Sequence, residues 1–118
     1  MKKAICLIIA LGSLVLAGVA QAATIEGTNG NDTLNGTVHG ELIVGKGGND
    51  LITGYGGADV VRAGGGSDTI KVYNPVVDGG KDDGLDAVRC GRDEKWDYVI
   101  AGLHDWVSKS CDLVVRKK

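Results

Sequence analysis

GTNGNDTLN, GTVHGELIV, GKGGNDLIT, GYGGADVVR and AGGGSDTIK: residues 27–71 divide into five nonapeptides with acids at Asp32, Glu41, Asp50, Asp59 and Asp68. Two positions after each acid stands an aliphatic residue, Leu34, Ile43, Ile52, Val61 or Ile70, and a glycine-rich run precedes each acid. Three features kept in phase through five periods mark a true internal repeat. Glycine at this density excludes a helix. Glycine with Asn and Asp beside it makes tight turns. The triplets Thr33–Asn35, Leu42–Val44, Leu51–Thr53, Val60–Arg62 and Thr69–Lys71 are β-rich, and their middle residues point to one face.

Two triplets and two turns make one coil of 18 residues. Coils stack as parallel strands about 4.8 Å apart. The expected fold is all-β: a flattened, right-handed parallel β-roll with the five aliphatics inside. Thr24-Ile25 is expected to form a first strand over the open end of the array.

Stacking places turns 18 residues apart on the same edge, so Asp32, Asp50 and Asp68 form one column and Glu41 and Asp59 the other. Carboxylates about 5 Å apart repel one another. Lys46, Arg62 and Lys71 do not recur in register with them. A hard dication between successive carboxylates removes the repulsion, and glycine turns offer carbonyl oxygens as further ligands. Calcium, with six to eight oxygens in flexible geometry, suits two facing turns better than magnesium does. The aliphatic core is too thin to order such a glycine-rich block alone, so the block is expected to be disordered without calcium and to fold on binding it.

GKGGNDLIT, GYGGADVVR and GTNGNDTLN resemble the nonapeptide G-G-x-G-x-D-x-U-x of the haemolysin-type (RTX) calcium-binding repeats. The resemblance implies Ca2+ held between turns of a parallel β-roll. Its ligands would be Asp32, Asp50 and Asp68 on one edge and Asp59 on the other, with carbonyls around Gly30, Gly47, Gly48, Gly56, Gly57, Gly65 and Gly66. The second repeat departs from the pattern, with His39 for glycine and Glu41 for aspartate. His39 is expected to tolerate the left-handed turn. Pairing acids 18 residues apart then gives two good sites, Asp32–Asp50 and Asp50–Asp68, and a weakened one at Glu41–Asp59.

The flanks set the context. Lys2-Lys3, the apolar run Ala4–Ala20 and the A-x-A site Ala20-Gln21-Ala22 read as a secretory signal over residues 1–22. Its removal leaves no membrane span. It also leaves 11 basic against 15 acidic residues, a mildly acidic balance with no footprint for nucleic acid. Cys90 and Cys111 then remain as an even pair, expected to be a disulfide in a secreted protein, periplasmic or extracellular.

The roll is expected over residues 23–74, and the array stops at Asn74-Pro75, since proline cannot donate to a ladder. Asp78–Gly84 reads as a solvated turn or a further acidic site. Residues 75–118 read as a cap. In it D-x-V recurs at Asp86-Ala87-Val88, Asp97-Tyr98-Val99, Asp105-Trp106-Val107 and Asp112-Leu113-Val114, as irregular coils with Val88, Val99 and Val107 inside. Trp96, Trp106 and the cysteine bridge are its expected closing parts; the two indoles alternatively stack on sugar rings.

No nucleophile, base and orienting group come together in the sequence, and there is no room for a separate enzyme domain, so no catalytic residues are assigned. A zinc pair of His39 and His104 is disfavoured. Calcium-dependent adhesion or carbohydrate binding, a purely structural or buffering role, and ice binding along a threonine row remain as roles. That row starts at Thr28 and Thr37 and is broken by Lys46, Tyr55 and Gly64. The macromolecular partner is not encoded in any motif.

Overall fold

A computed structural model describes residues 22–73 and 84–117. The leader before Ala22, the stop at Asn74-Pro75 and most of the acidic loop before Gly84 lie outside the described residues. The described chain forms ten strands: β1 (Ala23–Glu26), β2 (Thr33–Asn35), β3 (Glu41–Val44), β4 (Leu51–Thr53), β5 (Val60–Arg62), β6 (Thr69–Lys71), β7 (Ala87–Arg89), β8 (Tyr98–Gly102), β9 (Trp106–Val107) and β10 (Leu113–Lys117). They alternate between two five-stranded sheets, β1-β3-β5-β7-β9 and β10-β8-β6-β4-β2. Every pairing is parallel, so the molecule is a parallel β-solenoid of five coils. Among the described residues no helix is long and apolar enough to cross a membrane.

The period-two alternation of each strand turns its middle residue inward. In the first sheet Ile25, Ile43, Val61, Val88 and Val107 stand in register, each beside the next. In the second, Leu34, Ile52, Ile70, Val99 and Val114 do the same. The two aliphatic files face each other as a core of fully buried side chains, with Val107 and Val114 partly buried at the last coil. The D-x-V triplets thus continue the roll, as their pattern predicts.

The residue that follows each inward triplet changes along the stack. It is glycine at Gly27, Gly36, Gly45 and Gly54, then apolar at Ala63, Val72, Cys90 and Ala101, all four of them in the core. The C-terminal coils therefore bury side chains where the N-terminal coils hold only backbone. The predicted disulfide is present: Cys90 and Cys111 are bonded, with Cα atoms 5.1 Å apart, tying the end of β7 to the turn before β10. Ser110 Oγ donates to the Cys90 carbonyl at 2.8 Å. Arg116 Nη1 donates to the carbonyls of Gly102 at 2.8 Å and Asp105 at 3.0 Å. These groups close the last coil. The indoles do not: Trp96 is 77% exposed and Trp106 53% exposed.

Candidate metal centres

Each nonapeptide delivers its acid at the end of a turn, just before the strand that locks it in place. The result is two files of buried carboxylates. Asp32, Asp50, Asp68 and Asp97 are buried along one edge, and Glu41, Asp59, Asp86 and Asp105 along the other. The files are tied by a ladder in which the amide of one acid donates to the carboxylate of the next coil. Asp32 N–H reaches Asp50 Oδ1, Asp50 N–H reaches Asp68 Oδ1 and Asp68 N–H reaches Asp97 Oδ1, each at 2.9 Å. Asp97 N–H ends the file on Asp112 Oδ2 at 2.9 Å. On the other edge Glu41 N–H donates to Asp59 Oδ1 at 2.9 Å, Asp59 N–H to Asp86 Oδ1 at 2.8 Å and Asp86 N–H to Asp105 Oδ1 at 3.1 Å.

The predicted columns of five acids are therefore correct, and the four D-x-V acids extend them. That extension was hidden because the steps along the files lengthen to 27 and 29 residues and then shorten to 19 and 15. Only the triplet itself signalled it.

The ladder uses one oxygen of each acid. The second oxygen distinguishes two kinds of turn. In the turns before Asp50, Asp59 and Asp68, two residues adopt the left-handed conformation: Lys46 and Gly48, Tyr55 and Gly57, Gly64 and Gly66. Asp50 Oδ2 and Asp68 Oδ2 are then buried with no hydrogen-bond partner. In the first two repeats Thr28 and Thr37 keep negative φ, as β-branched residues must at little cost. Their amides point inward, Thr28 N–H to Asp32 Oδ2 at 2.5 Å and Thr37 N–H to Glu41 Oε2 at 2.9 Å. Their hydroxyls bond the same carboxylates, Thr28 Oγ1 at 3.1 Å from Asp32 Oδ2 and Thr37 Oγ1 to Glu41 Oε1. The hydroxyls also accept the Gly30 and His39 amides, both at 3.1 Å. His39 consequently needs no left-handed conformation, contrary to the sequence expectation.

Carbonyl oxygens converge where the second carboxylate oxygens lie. A Cβ built on Gly45 would lie 2.5 Å from Asp50 Oδ2 and closer still to the Ala63 carbonyl of the next coil. One built on Gly27 would lie 2.6 Å from Asp32 Oδ2 and 2.7 Å from the Gly45 carbonyl, and one on Gly36 would meet the Gly54 carbonyl and Glu41 Oε2, the latter at 2.9 Å. Gly27, Gly36 and Gly45 thus each leave a gap walled by a carboxylate of the same turn and a carbonyl of the next coil, whereas at Gly54 the gap meets Asp59 Oδ2 and a Val72 methyl. The carbonyls of Gly45, Gly54 and Ala63 were missed in the sequence reading.

Of the glycines that reading did name, Gly47, Gly56 and Gly65 donate their amides to the carbonyls of Thr28, Thr37 and Lys46 at 3.3, 2.9 and 2.8 Å. Gly48 packs on Gly30, Gly57 on His39 and Gly40, and Gly66 on Gly48, backbone against backbone.

An oxygen-only donor set of carboxylate and carbonyl fits a hard cation such as calcium. Among the described residues no three His, Cys, Asp or Glu side chains gather as a metal cluster, so carbonyls have to complete any site. His39 and His104 precede acids three steps apart on one edge, roughly 14 Å at the usual strand spacing, too far to share a zinc ion. An exposed acid of the disulfide loop lies beside the first file: Asp93 Oδ2 accepts the Gly66 amide at 2.5 Å.

The electrostatics follow from this burial. Desolvation pushes the Asp50 carboxyl up to about 6, opposed by the Asp32 amide and reinforced by the charges of Asp68 and Asp32. Asp97 rises to about 6 for the same first reason, with Asp68, Asp93 and Asp112 adding their repulsion. Asp68 is raised by burial and by Asp93. These groups bind protons more tightly folded than unfolded. Their stabilising effect on the metal-free roll is therefore complete below about pH 4 and lost as pH rises through about 6. Calcium-free protein should show more β signal by far-ultraviolet circular dichroism at pH 4.5 than at pH 7. Excess calcium should reverse that order, because protons then compete with the ion; an equal β signal at the two pH values without calcium would contradict the desolvation argument.

Comparison with known proteins agrees with this geometry. The RTX calcium-binding nonapeptide repeat matches in four copies, over residues 18–39 and 36–70. The repeat block is an RTX array. No curated protein matches the chain. The solution structure of the AlgE6R3 subunit from the Azotobacter vinelandii mannuronan C5-epimerase is similar, at 28% identity and a TM-score of 0.53 over 69% of this chain. The match covers 46% of that subunit, so this chain spans less than half of its length. The RTX turns in this chain are of both kinds described above, hydroxyl-closed at Asp32 and Glu41 and glycine-open from Asp50 onward.

Proposed function

We propose that this is an exported calcium-binding protein whose roll folds as Ca2+ enters between stacked turns. One observation carries the reading: Asp50 Oδ2 and Asp68 Oδ2 are buried without a hydrogen-bond partner in an oxygen-lined stack. The carboxylates of Asp50, Asp59 and Asp68 would hold the ions, with carbonyls of the glycine runs around Gly48, Gly57 and Gly66 and of Ala63 completing the shells. Asp32 and Glu41 head the two files. The bound ion supplies the positive charge that the files lack and a partner for the buried oxygens. Export is supported by the leader pattern in residues 1–22 and by the Cys90–Cys111 bridge, which suits an oxidising compartment. Affinity on the order of 10⁻⁴–10⁻³ M would keep such a module empty in the cytosol and loaded outside.

Calorimetric titration of the chain from Ala23, with far-ultraviolet circular dichroism at each addition, tests this. Saturable calcium heat should accompany the appearance of the β spectrum, with magnesium failing to replace it. Absence of heat, or a β spectrum already complete in chelator, would sink the reading.

A calcium-dependent carbohydrate-binding or adhesion role is a second reading. Arg62 and Arg89 stand in register on the outer face of the first sheet, and Arg89 lies over the exposed Trp106 ring at 5.8 Å. Two adjacent guanidiniums beside an open indole suit a carboxylated sugar, and the similar subunit comes from an enzyme named for mannuronan. Mannuronan added to the calcium-loaded protein in the same calorimeter should give heat that Trp106→Ala removes; no heat dismisses the role.

A further inference from the structure

We propose that Thr28 and Thr37 take the place of the metal at the first coil, so that calcium binds only at the glycine turns of Asp50, Asp59 and Asp68. The inference rests on the calcium reading and concerns which turns accept the ion. Asp32 and Glu41 belong to the same acid files and the same RTX pattern as the other three, and their side chains are equally buried. Their carboxylates differ in what surrounds them. Thr28 brings an amide and a hydroxyl to Asp32, at 2.5 Å and 3.1 Å from Oδ2. Thr37 brings the same two groups to Glu41, its amide at 2.9 Å. Donors at these positions satisfy a carboxylate and present hydrogens where a cation would need bare oxygen.

At Asp50 and Asp68 the residue four places earlier is Lys46 or Gly64, at φ 79° and 98°. With a left-handed residue there, no amide or hydroxyl reaches the carboxylate's second oxygen, which is left buried with no hydrogen-bond partner. The choice between an internally closed turn and a metal-ready turn is thus made by the second residue of the nonapeptide. Threonine closes it, because β-branching disfavours positive φ and the hydroxyl bonds the acid. Glycine or lysine opens it.

The far end of the stack is closed differently. Ser108 precedes Asp112 by the same four residues, but its amide donates to the Val88 carbonyl at 2.9 Å, and its Oγ accepts the Ser110 amide at 3.2 Å. The threonine closure thus belongs to the first coil, and the glycine turns follow it. The first coil has a neighbour on one side only, and an ion there would lack half its cage; a hydroxyl turn closes the file without one.

Calcium stoichiometry by calorimetry, read on the chain from Ala23 with circular dichroism as the check of folding, tests the assignment. Thr28→Gly converts the first repeat to G-G-N-G-N-D and should raise the number of ions bound by one over the unsubstituted chain. Thr28→Ser should leave it unchanged. Asp32→Asn should also leave it unchanged, whereas Asp50→Asn should lower it by at least one. Loss of an ion in Asp32→Asn, or a folded Thr28→Gly protein with unaltered stoichiometry, overturns the proposal. Should Thr28→Gly not fold, the contrast between Asp32→Asn and Asp50→Asn decides alone. A chain that takes up no calcium at all defeats the calcium reading instead, which keeps the two failures apart.

Discussion

Gly48→Ala should destabilise the calcium-loaded roll by about 2–4 kcal/mol, while Gly47→Ala, one residue away, should move it by less than about 0.5 kcal/mol. Gly48 has φ 87°, where an L side chain is strained. A Cβ there would also lie 2.5 Å from the Gly30 carbonyl oxygen and 2.8 Å from the Asn31 nitrogen, and closer still to the Gly30 carbonyl carbon. Those are backbone atoms of the preceding coil, fixed by the ladder, so relief requires the coils to part. Gly47 has no positive φ, and its added Cβ would find Asn29 at 3.6 Å, ordinary van der Waals contact. Denaturation midpoints in saturating calcium measure both. The next coil offers a repeat of the test: Gly66 is left-handed and packed on Gly48, whereas a Cβ on Gly65 would meet only Asp93 Oδ2, at 3.5 Å. Equal losses within either pair would refute the backbone-on-backbone account of the turns.

That contrast also marks how far the sequence could be read. Period nine determines the coil, the inward aliphatics and the acid files as far as Asp68, because those features repeat in one phase. It treats Gly47 and Gly48 alike, since both occupy a glycine run, and only backbone torsion separates them. It treats Thr28 and Lys46 as interchangeable second residues, although Thr28 donates its amide to the acid of its turn and Lys46 is left-handed. Beyond Asp68 the step along the file jumps to 29 residues, to Asp97. Two residues of a D-x-V triplet are then the whole signal, and the acids look like irregular loop polar groups until the ladder shows them in file. Asp93 carried no signal, because its approach to Gly66 depends on where the disulfide loop folds. The indoles misled for a related reason: they were expected to close the cap together with the bridge, and the bridge instead works with a hydroxyl and an arginine.

Asp50→Asn combined with Asp68→Asn should produce a protein that is more stable than the parent without calcium and less stable than it with calcium in excess. In the metal-free parent, carboxylates about 4.8 Å apart repel by about 3–4 kcal/mol per neighbouring pair at an effective dielectric of about 20. An amide donated to a carboxylate returns about 1.5–3 kcal/mol. The two nearly cancel, which leaves the cost of burying the charge uncompensated, and the Asp50 carboxyl pushed up to about 6 reports that cost. Asparagine retains Oδ1 for the Asp32 and Asp50 amides that donate to positions 50 and 68 at 2.9 Å. At position 50 its Nδ2 replaces the oxygen that has no hydrogen-bond partner and faces the Ala63 carbonyl, to which it can donate. Removing the charge should therefore gain on the order of 1–2 kcal/mol per site in chelator. In calcium about a hundredfold above its dissociation constant the parent gains about 2.7 kcal/mol per occupied site, more than removal of the charge gains, and the variant forfeits this. The folded fractions of the two proteins, read by far-ultraviolet circular dichroism, should thus exchange order between chelator and calcium. Alanine at the same two positions should lose in both conditions, because the Asp32 and Asp50 amides are then buried without an acceptor. If the asparagine variant is no more stable than the parent in chelator, carboxylate repulsion is not what limits the metal-free roll, and the ion's role in folding must be found elsewhere.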